Sequence, residues 1–162
     1  MKSSWESISH FEELVANYAG SKYAIAVDCC THALYLSLKY VRDIKSEIHD
    51  YIEIPKYTYL TLPSMVIQAG YKIRFIDSEW SGAYKLNPSS VIDSACRFTE
   101  NMYQPNTYYC LSFNYKKTLS TGKGGMILTD DKDSVTWFKQ MRYGGRDCER
   151  YLDIKDITVL GW

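Results

Sequence analysis

Segments with strand character alternate with amphipathic helical segments along most of the chain. In the first unit, apolar residues recur at helical spacing as far as Gly20, and an apolar run follows over residues 23–27. The same patterns predict strands at 51–54, 73–76, 91–93, 108–113 and 126–129, and helices beginning at Thr31, at Leu60 and before Val135. This alternation predicts an α/β fold with a largely parallel sheet flanked by helices.

Capping residues predict where two of the helices begin. Ser9 and Glu12 have the spacing of a capping box ahead of the first helix. Thr31 precedes the apolar face of the second helix and is the type of residue that caps a helix. Ligands of α/β sheets bind at the carboxyl ends of the strands, and the Thr31 turn follows a predicted strand directly.

The composition restricts the class of protein. A length of 162 residues is enough for a single domain over 1–162 with a hydrophobic core. The net charge is zero and the charges are dispersed, which argues against a nucleic-acid-binding surface. No apolar run approaches the length of a membrane span and no secretory leader is visible, so a cytoplasmic location is expected. The five cysteines lack zinc-site spacing and are predicted to be reduced thiols, without a metal site.

Lys117 lies in the segment with the most distinctive chemistry, residues 112–125. A predicted strand precedes this lysine, and a Gly-rich turn and a second strand follow it. A lysine fixed between a strand end and a tight turn, with little water around it, can lose its proton and attack a carbonyl. A surface lysine in a loop is the alternative, and the lysine alone would favour it.

The order Ser112-Phe113, then Lys117, then Thr121 to Gly125 resembles the lysine segment of the DegT/DnrJ/EryC1/StrS sugar aminotransferases. Residues 11–27, 55–70 and 75–77 are similar to further helices and strands of that family. Its members are fold-type-I enzymes that use pyridoxal phosphate. The resemblance therefore implies a reduced version of their large domain and a cleft for this cofactor.

The resemblance assigns roles to two residues of the cofactor site. Lys117 matches the lysine that binds the cofactor aldehyde, and Lys116 is the alternative if the turn is shifted by one residue. Asp93 matches the strand-end aspartate that keeps the pyridine nitrogen protonated. The alternative for Asp93 is an exposed position on a helix over residues 91–102, whose apolar residues also have helical spacing. Cys96 stands where the family often has Gln or His.

The phosphate and the ring of the cofactor require further residues. Cys30, Thr31 and His32 occupy the place of the family's Gly-Thr-Ala segment, where backbone N–H groups at a helix N-terminus bind phosphate. Ser112 is expected to add a hydroxyl, and so is Thr31, whose alternative role is only to cap the helix. Tyr59 matches the aromatic residue that lies against the ring, and a core tyrosine is the alternative.

The chain is shorter than the family pattern. Members carry an extra stretch that is missing here within residues 77–90, and a C-terminal small domain that is expected to be absent. An asparagine that reaches the neighbouring subunit's phosphate follows a Gly-aromatic pair in the family, whereas this sequence ends at Gly161-Trp162.

Two functions are therefore expected as alternatives. One is a pyridoxal-phosphate-dependent aminotransferase that moves an amino group from a glutamate-like donor to a keto-sugar nucleotide. The other is a non-catalytic remnant that binds a cofactor or a partner. A homodimer is expected, since the reduced domain leaves a sheet edge and a cleft to cover, and 15 tyrosines supply interface material.

Overall fold

The computed structural model describes residues 4–146, so Cys148 and Gly161-Trp162 lie outside the described residues. The elements are α1 (Ser4–Ala19), β1 (Tyr23–Val27), α2 (Cys30–Asp43), β2 (Tyr51–Pro55), α3 (Thr61–Gln68), β3 (Lys72–Ile76), β4 (Tyr84–Lys85), β5 (Val91–Ser94), β6 (Tyr108–Ser112), β7 (Gly125–Thr129) and α4 (Lys132–Met141). The predicted α/β class is confirmed, and each predicted strand is present to within a residue at either end.

The five-stranded sheet has the order β1-β7-β6-β5-β4, and β2 and β3 form a separate parallel pair. Strands β1, β6 and β5 run in one direction, while β7 and β4 run in the other. The sheet is therefore mixed and mostly antiparallel in its pairings, rather than largely parallel as the alternation predicted. The cause is the Gly-rich connection after β6, which returns the chain as a hairpin instead of crossing over through a helix.

Two hydrophobic clusters lie on opposite faces of the main sheet. On one face α2, α3 and α4 pack over side chains that include Ile25, Val91, Tyr108, Cys110 and Ile127. On the other face α1 packs over a set that includes Ala24, Ile92, Tyr109, Leu111 and Met126. The alternation of these two sets along β5 and β6 follows the two-residue period of a strand. It fixes which side chains face α2.

The β2–β3 pair is tied to the main sheet through the segment that contains β4. The backbone N–H of Glu53 donates to the carbonyl of Asn87 at 2.7 Å. Ile52, Ile54 and Leu86 are fully buried in the α2-side cluster. β4 was not predicted from the sequence, because two residues are too few to show a strand period.

The predicted capping box at Ser9 is wrong. α1 begins at Ser4, so Ser9 lies inside the helix. Glu12 is 5% exposed and accepts a hydrogen bond from the Ala26 N–H at 2.8 Å, and it forms an ion pair with Arg142. The carboxylate of Glu12 thus links α1 to β1 and to the end of α4, which is a tertiary contact that the local spacing cannot reveal.

Of the described cysteines, Cys29, Cys30, Cys96 and Cys110 are all free thiols, as expected. Cys30 and Cys110 are buried, while Cys96 is exposed. Within residues 4–146, none of the helices combines the length and the apolar character that crossing a membrane would require.

Asp131 joins three elements at the end of the sheet where β7 finishes. Its carboxylate caps α4 by accepting hydrogen bonds from the N–H groups of Asp133 at 3.0 Å and Ser134 at 3.4 Å. It also accepts from the Tyr108 hydroxyl at 2.7 Å and pairs with Lys45 at 3.1 Å. Burial raises the pKa of Asp131, but the Tyr108 hydroxyl and Lys45 outweigh burial, so the pKa lies below its usual value.

We expect Asp131→Ala to lower the free energy of unfolding at neutral pH by about 1–3 kcal/mol, because a helix cap and a charged hydrogen-bond acceptor are lost. A lowered native-state pKa contributes stability above the unfolded-state pKa, and that stability disappears as the pH falls through the native-state pKa. The difference between wild type and variant should therefore shrink in acid. Urea denaturation between neutral and acidic pH measures it. The exposed carboxylate Glu100, changed to Ala, serves as the control and should alter stability by less than about 0.5 kcal/mol.

Candidate functional site

A cleft of about 740 Å³ opens where the carboxyl ends of β1, β5 and β6 meet the amino end of β7. The N-termini of α2 and α3 also reach it. Its walls are formed by residues of α2, α3, β4, β5 and β6 and of the connections next to them: Cys29, Cys30, Thr31, Leu34, Thr58, Tyr59, Thr61, Leu62, Trp80, Tyr84, Asp93, Ala95, Cys96, Ser112, Asn114, Tyr115, Lys116, Lys117, Lys123 and Gly124. The volume suits a small organic ligand or a cofactor.

Asp93 lies at the floor of this cleft, on β5, and is 5% exposed. The strand interpretation of this residue is correct, and the alternative of an exposed helical acid is wrong. One oxygen, Oδ1, accepts from the Ala95 N–H at 3.0 Å. The other, Oδ2, accepts from the Tyr84 hydroxyl at 2.8 Å. Both oxygens are therefore held, and the plane of the carboxylate is fixed.

The charge of Asp93 is only partly compensated. Burial raises the pKa of Asp93, and the Ala95 N–H, the Tyr84 hydroxyl and the charge of Lys117 act in the opposite direction without cancelling the effect of burial. A cationic group of a ligand beside this carboxylate would stabilise its ionised form further.

Lys117 lies in the connection between β6 and β7 and is partly buried. Its backbone N–H donates to the Asn114 carbonyl at 2.8 Å, and its Nζ donates to the Cys96 sulfur at 3.5 Å. Burial raises the pKa of both Asp93 and Cys30, and the charge of Lys117, which lines the same cleft, partly offsets that rise.

Lys116, the alternative lysine, is in a different position. It is exposed, and its Nζ lies 5.4 Å from the centroid of the Tyr115 ring, which is itself exposed. Both lysines line the cleft, and of these two it is Lys117 whose charge offsets part of the effect of burial on the pKa of Asp93. The geometry favours Lys117 as the residue whose amine meets a bound group.

The turn between β1 and α2 forms the wall opposite the lysine connection. Cys29 is the N-cap of α2 and makes no side-chain cap, so Thr31 is not the capping residue that its sequence position predicted. The Thr31 hydroxyl lies 3.1 Å from that of Thr61 instead. Cys30 is buried, and its thiol donates to the Cys110 carbonyl at 3.4 Å, so Cys30 offers the cleft only its backbone.

Gly125 allows this wall to form. A Cβ at Gly125 would lie 2.4 Å from the carbonyl carbon of Cys29 and 2.6 Å from the nitrogen of Cys30. Any side chain would therefore push the start of β7 away from the turn. The glycine of the sequence motif sets how closely the lysine connection approaches the N-terminus of α2.

Among the predicted site residues, His32 differs from the others because it does not line the cleft. Its Nδ1 lies 2.5 Å from Asp28 Oδ1, and ligand atoms of Asp28, Cys29 and His32 fall within 4.8 Å of one another. The spacing of the cysteines and histidines in the sequence does not indicate this grouping. Lys123 Nζ lies 3.8 Å from Asp28 Oδ2, and the positive end of α2 adjoins the group. These charges favour an anion over a cation there.

Tyr59 and Ser112, the remaining predicted site residues, both line the cleft. Tyr59 is 71% exposed, so the alternative of a core tyrosine is wrong. Ser112 ends β6, and its Oγ accepts from the Asn114 N–H at 3.4 Å. Whether these residues contact a cofactor stays a prediction.

Thr58, Trp80 and Tyr84 are among the cleft residues that the sequence did not indicate as site residues. The Thr58 and Tyr84 hydroxyls are 2.5 Å apart, and the Trp80 and Tyr84 rings are 4.7 Å apart between centroids. Trp80 and Tyr84 belong to the least regular part of the sequence, where no period identifies a contact. Thr58 lies directly before Tyr59, but the family resemblance assigned a role to Tyr59 only.

The chemistry of the cleft matches the requirements of pyridoxal phosphate. The buried acid Asp93 can pair with a pyridine nitrogen, and the amine of Lys117 can bind an aldehyde. The N-terminus of α2, together with the Thr31 hydroxyl, can bind a phosphate. The exposed Tyr59 supplies a flat surface at the mouth. These residues fit the group by their donor types and by their convergence on one cleft.

Comparison with known proteins agrees with these features. The sequence matches the DegT/DnrJ/EryC1/StrS aminotransferase family over residues 2–99 and 104–159. An uncharacterized protein of Methanocaldococcus jannaschii is 24% identical to it, over 90% of this chain and 49% of that protein.

Solved structures share the fold at low sequence identity. PseC of Helicobacter pylori, an aminotransferase of pseudoaminic acid biosynthesis, has a TM-score of 0.71 at 16% identity, over 94% of this chain and 52% of its own. GDP-4-keto-6-deoxymannose-3-dehydratase with bound GDP-perosamine has a TM-score of 0.70 at 18% identity, over 97% of this chain and 52% of its own. NtdA of Bacillus subtilis with bound PMP has a TM-score of 0.73 at 16% identity, over 96% of this chain and 43% of its own. This chain spans about half the length of these proteins.

Proposed function

The chain belongs to the DegT/DnrJ/EryC1/StrS aminotransferase family, and we propose that its cleft holds pyridoxal phosphate for the transfer of an amino group from a glutamate-like amino acid to a keto-sugar nucleotide. In this reaction the donor leaves as its 2-oxo acid, and the keto carbon of the sugar becomes an amine. The chain spans about half the length of its relatives, so we propose both halves of this reaction for it and infer neither from them directly.

The observation that carries the proposal is the convergence of Lys117 and Asp93 on one cleft. Lys117 and Asp93 both line this cleft, and the positive charge of Lys117 partly offsets the rise that burial causes in the pKa of Asp93. Burying Asp93 without a full counter-charge costs stability. A site of this kind is typical of function, since perturbed acids in clefts are rarely needed for folding.

Each residue of the cleft has a defined task in this proposal. Lys117 Nζ would hold the cofactor through its aldehyde group, and as a free amine it would act as the base that moves the proton at the donor Cα. Asp93 holds the proton of the pyridine nitrogen. Bound pyridoxal phosphate supplies the electron sink that accepts the electrons of the broken Cα–H bond.

The walls of the cleft bind and orient. The N-terminus of α2, with the backbone N–H groups of Cys30, Thr31 and His32, binds the phosphate together with the hydroxyls of Thr31 and Ser112. Tyr59 would lie against one face of the ring. The burial of Asp93 would strengthen its attraction to the pyridinium proton.

The substrate class rests on the family and on the structures that share its fold. PseC is an aminotransferase involved in the biosynthesis of pseudoaminic acid, and the dehydratase was solved with bound GDP-perosamine. Because one of these proteins is a dehydratase, the fold alone leaves both reactions open. A primary amine at Lys117 supports amino transfer, for which such a group is required.

A homodimer is part of the same proposal. Tyr57, Tyr59 and Leu60, in the connection from β2 to α3 at the cleft mouth, are 82%, 71% and 87% exposed. Exposed aromatic and aliphatic side chains side by side are typical of an interface. A second copy of the chain packed on this connection would cover the mouth of the cleft.

The lysine assignment predicts where the cofactor becomes fixed. Borohydride treatment of protein loaded with pyridoxal phosphate should attach the cofactor to Lys117, because a stable attachment needs an amine held in the cleft. Peptide mapping by mass spectrometry locates the label. Lys116→Ala is the matched control and should keep the label, whereas Lys117→Ala should lose it. A label on Lys116 in the wild type would contradict the assignment.

The role of Asp93 predicts opposite effects with and without cofactor. Its pKa is raised on folding, so its charge carries no cost below the unfolded-state pKa and destabilises the fold as the pH rises through the native-state pKa. Asp93→Asn should therefore leave the cofactor-free protein at least as stable as the wild type at neutral pH.

The same variant should bind pyridoxal phosphate about thirtyfold more weakly, since removing one partner of a buried charge pair costs roughly 2 kcal/mol or more. Its half-reaction with glutamate should slow in parallel. Thermal denaturation with and without cofactor and single-turnover kinetics check both expectations. Equal affinity and equal rates in the two proteins would remove Asp93 from the site.

The proposed interface predicts the oligomeric state. Sedimentation velocity at high micromolar concentration with pyridoxal phosphate should show a dimer, and Leu60→Asp should shift it to monomer, because a charge would be buried at the interface. Ile48→Asp is the matched control, since Ile48 is 75% exposed but precedes β2, at the opposite end of that strand. A monomeric wild type, or dissociation by the control variant alone, would contradict this arrangement.

A further inference from the structure

Tyr84 is held against Asp93 by the pairing of two strands. β4 runs antiparallel to β5, and in this register Tyr84 lies opposite Asp93. The Tyr84 hydroxyl donates to Asp93 Oδ2 at 2.8 Å. The other oxygen, Oδ1, accepts a hydrogen bond from the backbone N–H of Ala95. Among the described residues, Tyr84 is thus the residue whose side chain donates a hydrogen bond to this carboxylate.

The direction of the hydrogen bonds follows from the chemistry of the three groups. Burial raises the pKa of Tyr84, so its hydroxyl stays protonated and can donate. An ionised carboxylate only accepts, so the Tyr84 proton points to Asp93. The Thr58 hydroxyl, 2.5 Å from the Tyr84 oxygen, is therefore the donor to Tyr84. The result is a directed chain from Thr58 through Tyr84 to Asp93.

The Tyr84 ring cannot easily leave this position. The Trp80 ring packs against it at 4.7 Å between centroids, inclined by 54°. Trp80 is itself fixed, because its Nε1 donates to the Tyr57 carbonyl at 2.8 Å. Trp80 thus packs against the Tyr84 ring, while Thr58 and Asp93 form hydrogen bonds with its hydroxyl.

We infer that Tyr84 is a positioning residue, which orients the Asp93 carboxylate and keeps it ionised so that it can pair with the ring nitrogen of a pyridine cofactor. This inference rests on the proposed function. Thr58 acts behind it by fixing the direction of the Tyr84 proton. A hydrogen bond to the charged form of an acid favours that form, and here it opposes the effect of burial.

Other groups also act on Asp93 or respond to its charge. Lys117 approaches from the β6–β7 connection and favours the ionised form. Burial raises the pKa of the Cys30 thiol on α2 and of the Cys110 thiol on β6, and the charge of Asp93 raises both further. Neither thiol donates to the carboxylate among the described contacts, so Tyr84 is the neutral side chain that stabilises its charge directly.

The test is a double-mutant cycle on the full chain, with pyridoxal phosphate as the probe. Tyr84→Phe removes one hydroxyl and keeps the ring against Trp80. Its affinity for the cofactor, followed by fluorescence titration across pH, should fall about tenfold. The acid limb of the affinity profile should move to higher pH, because losing the hydrogen bond raises the pKa of Asp93.

In the Asp93→Asn background the same Tyr84→Phe change should have almost no further effect. Thr58→Val should act in the same direction as Tyr84→Phe but more weakly, and it replaces that variant if Tyr84→Phe fails to fold. Tyr108→Phe is the matched control, since it removes a buried tyrosine hydroxyl from a carboxylate, Asp131, outside the cleft. It should lower stability and leave cofactor affinity and its pH profile unchanged.

Two failures can be told apart. If the wild type binds no pyridoxal phosphate, the proposed function fails and this inference with it. If the wild type binds the cofactor and Asp93→Asn weakens binding, but Tyr84→Phe changes neither the affinity nor the pH profile, only the role of Tyr84 is overturned. An equal effect of Tyr84→Phe in the wild-type and Asp93→Asn backgrounds also overturns it, because Tyr84 would then not act through Asp93. Nuclear magnetic resonance of the Asp93 carboxyl carbon, without cofactor, should show a raised pKa in Tyr84→Phe.

Discussion

The carboxylate of Asp93 is buried between apolar strands, and much of the surrounding structure serves to accommodate its charge. It is 5% exposed, receives hydrogen bonds at both oxygens and feels the charge of Lys117. These contacts do not cancel the cost of burial, since the pKa of Asp93 remains raised. A fold selected only for stability would place an apolar residue there. The incomplete compensation is the physical argument for a ligand with a positive charge in the cleft.

The direction of the strands decides which groups meet Asp93. β1, β5 and β6 end at the same edge of the sheet, which brings the turn before α2, the acid and Ser112 together. β7 runs back from this edge, so the connection that carries Lys117 must lie over it. Gly125 lets that connection approach the α2 turn closely, because a side chain there would collide with the backbone of Cys29. The reversed strand that makes the sheet mixed is thus the feature that delivers the lysine to the cleft.

The elements that could be predicted from the sequence are those with a clear period or motif. The alternation of strands, such as residues 23–27, with helices predicted the fold class. The order of Ser112, Lys117 and the glycines indicated the family, and the family resemblance identified six residues of the cleft. The direction of β7 was predicted wrongly, because the alternation of the other elements indicated a parallel sheet, although two strands joined by a Gly-rich turn with no helix between them are typical of a hairpin. Ser9 was mistaken for a cap because Glu12 has a tertiary partner, and Tyr84 was missed because β4 has only two residues.

The central claim is that Lys117 and Asp93 form one site for pyridoxal phosphate, and an absorption titration tests it most directly. Added to the purified chain at neutral pH, pyridoxal phosphate should give a visible absorption band that saturates at one cofactor per chain. The band should differ from that of the cofactor mixed with free lysine, since the cleft would place the ring beside the buried carboxylate of Asp93. Absorbance that grows without saturation, as it does with free lysine, would contradict the account.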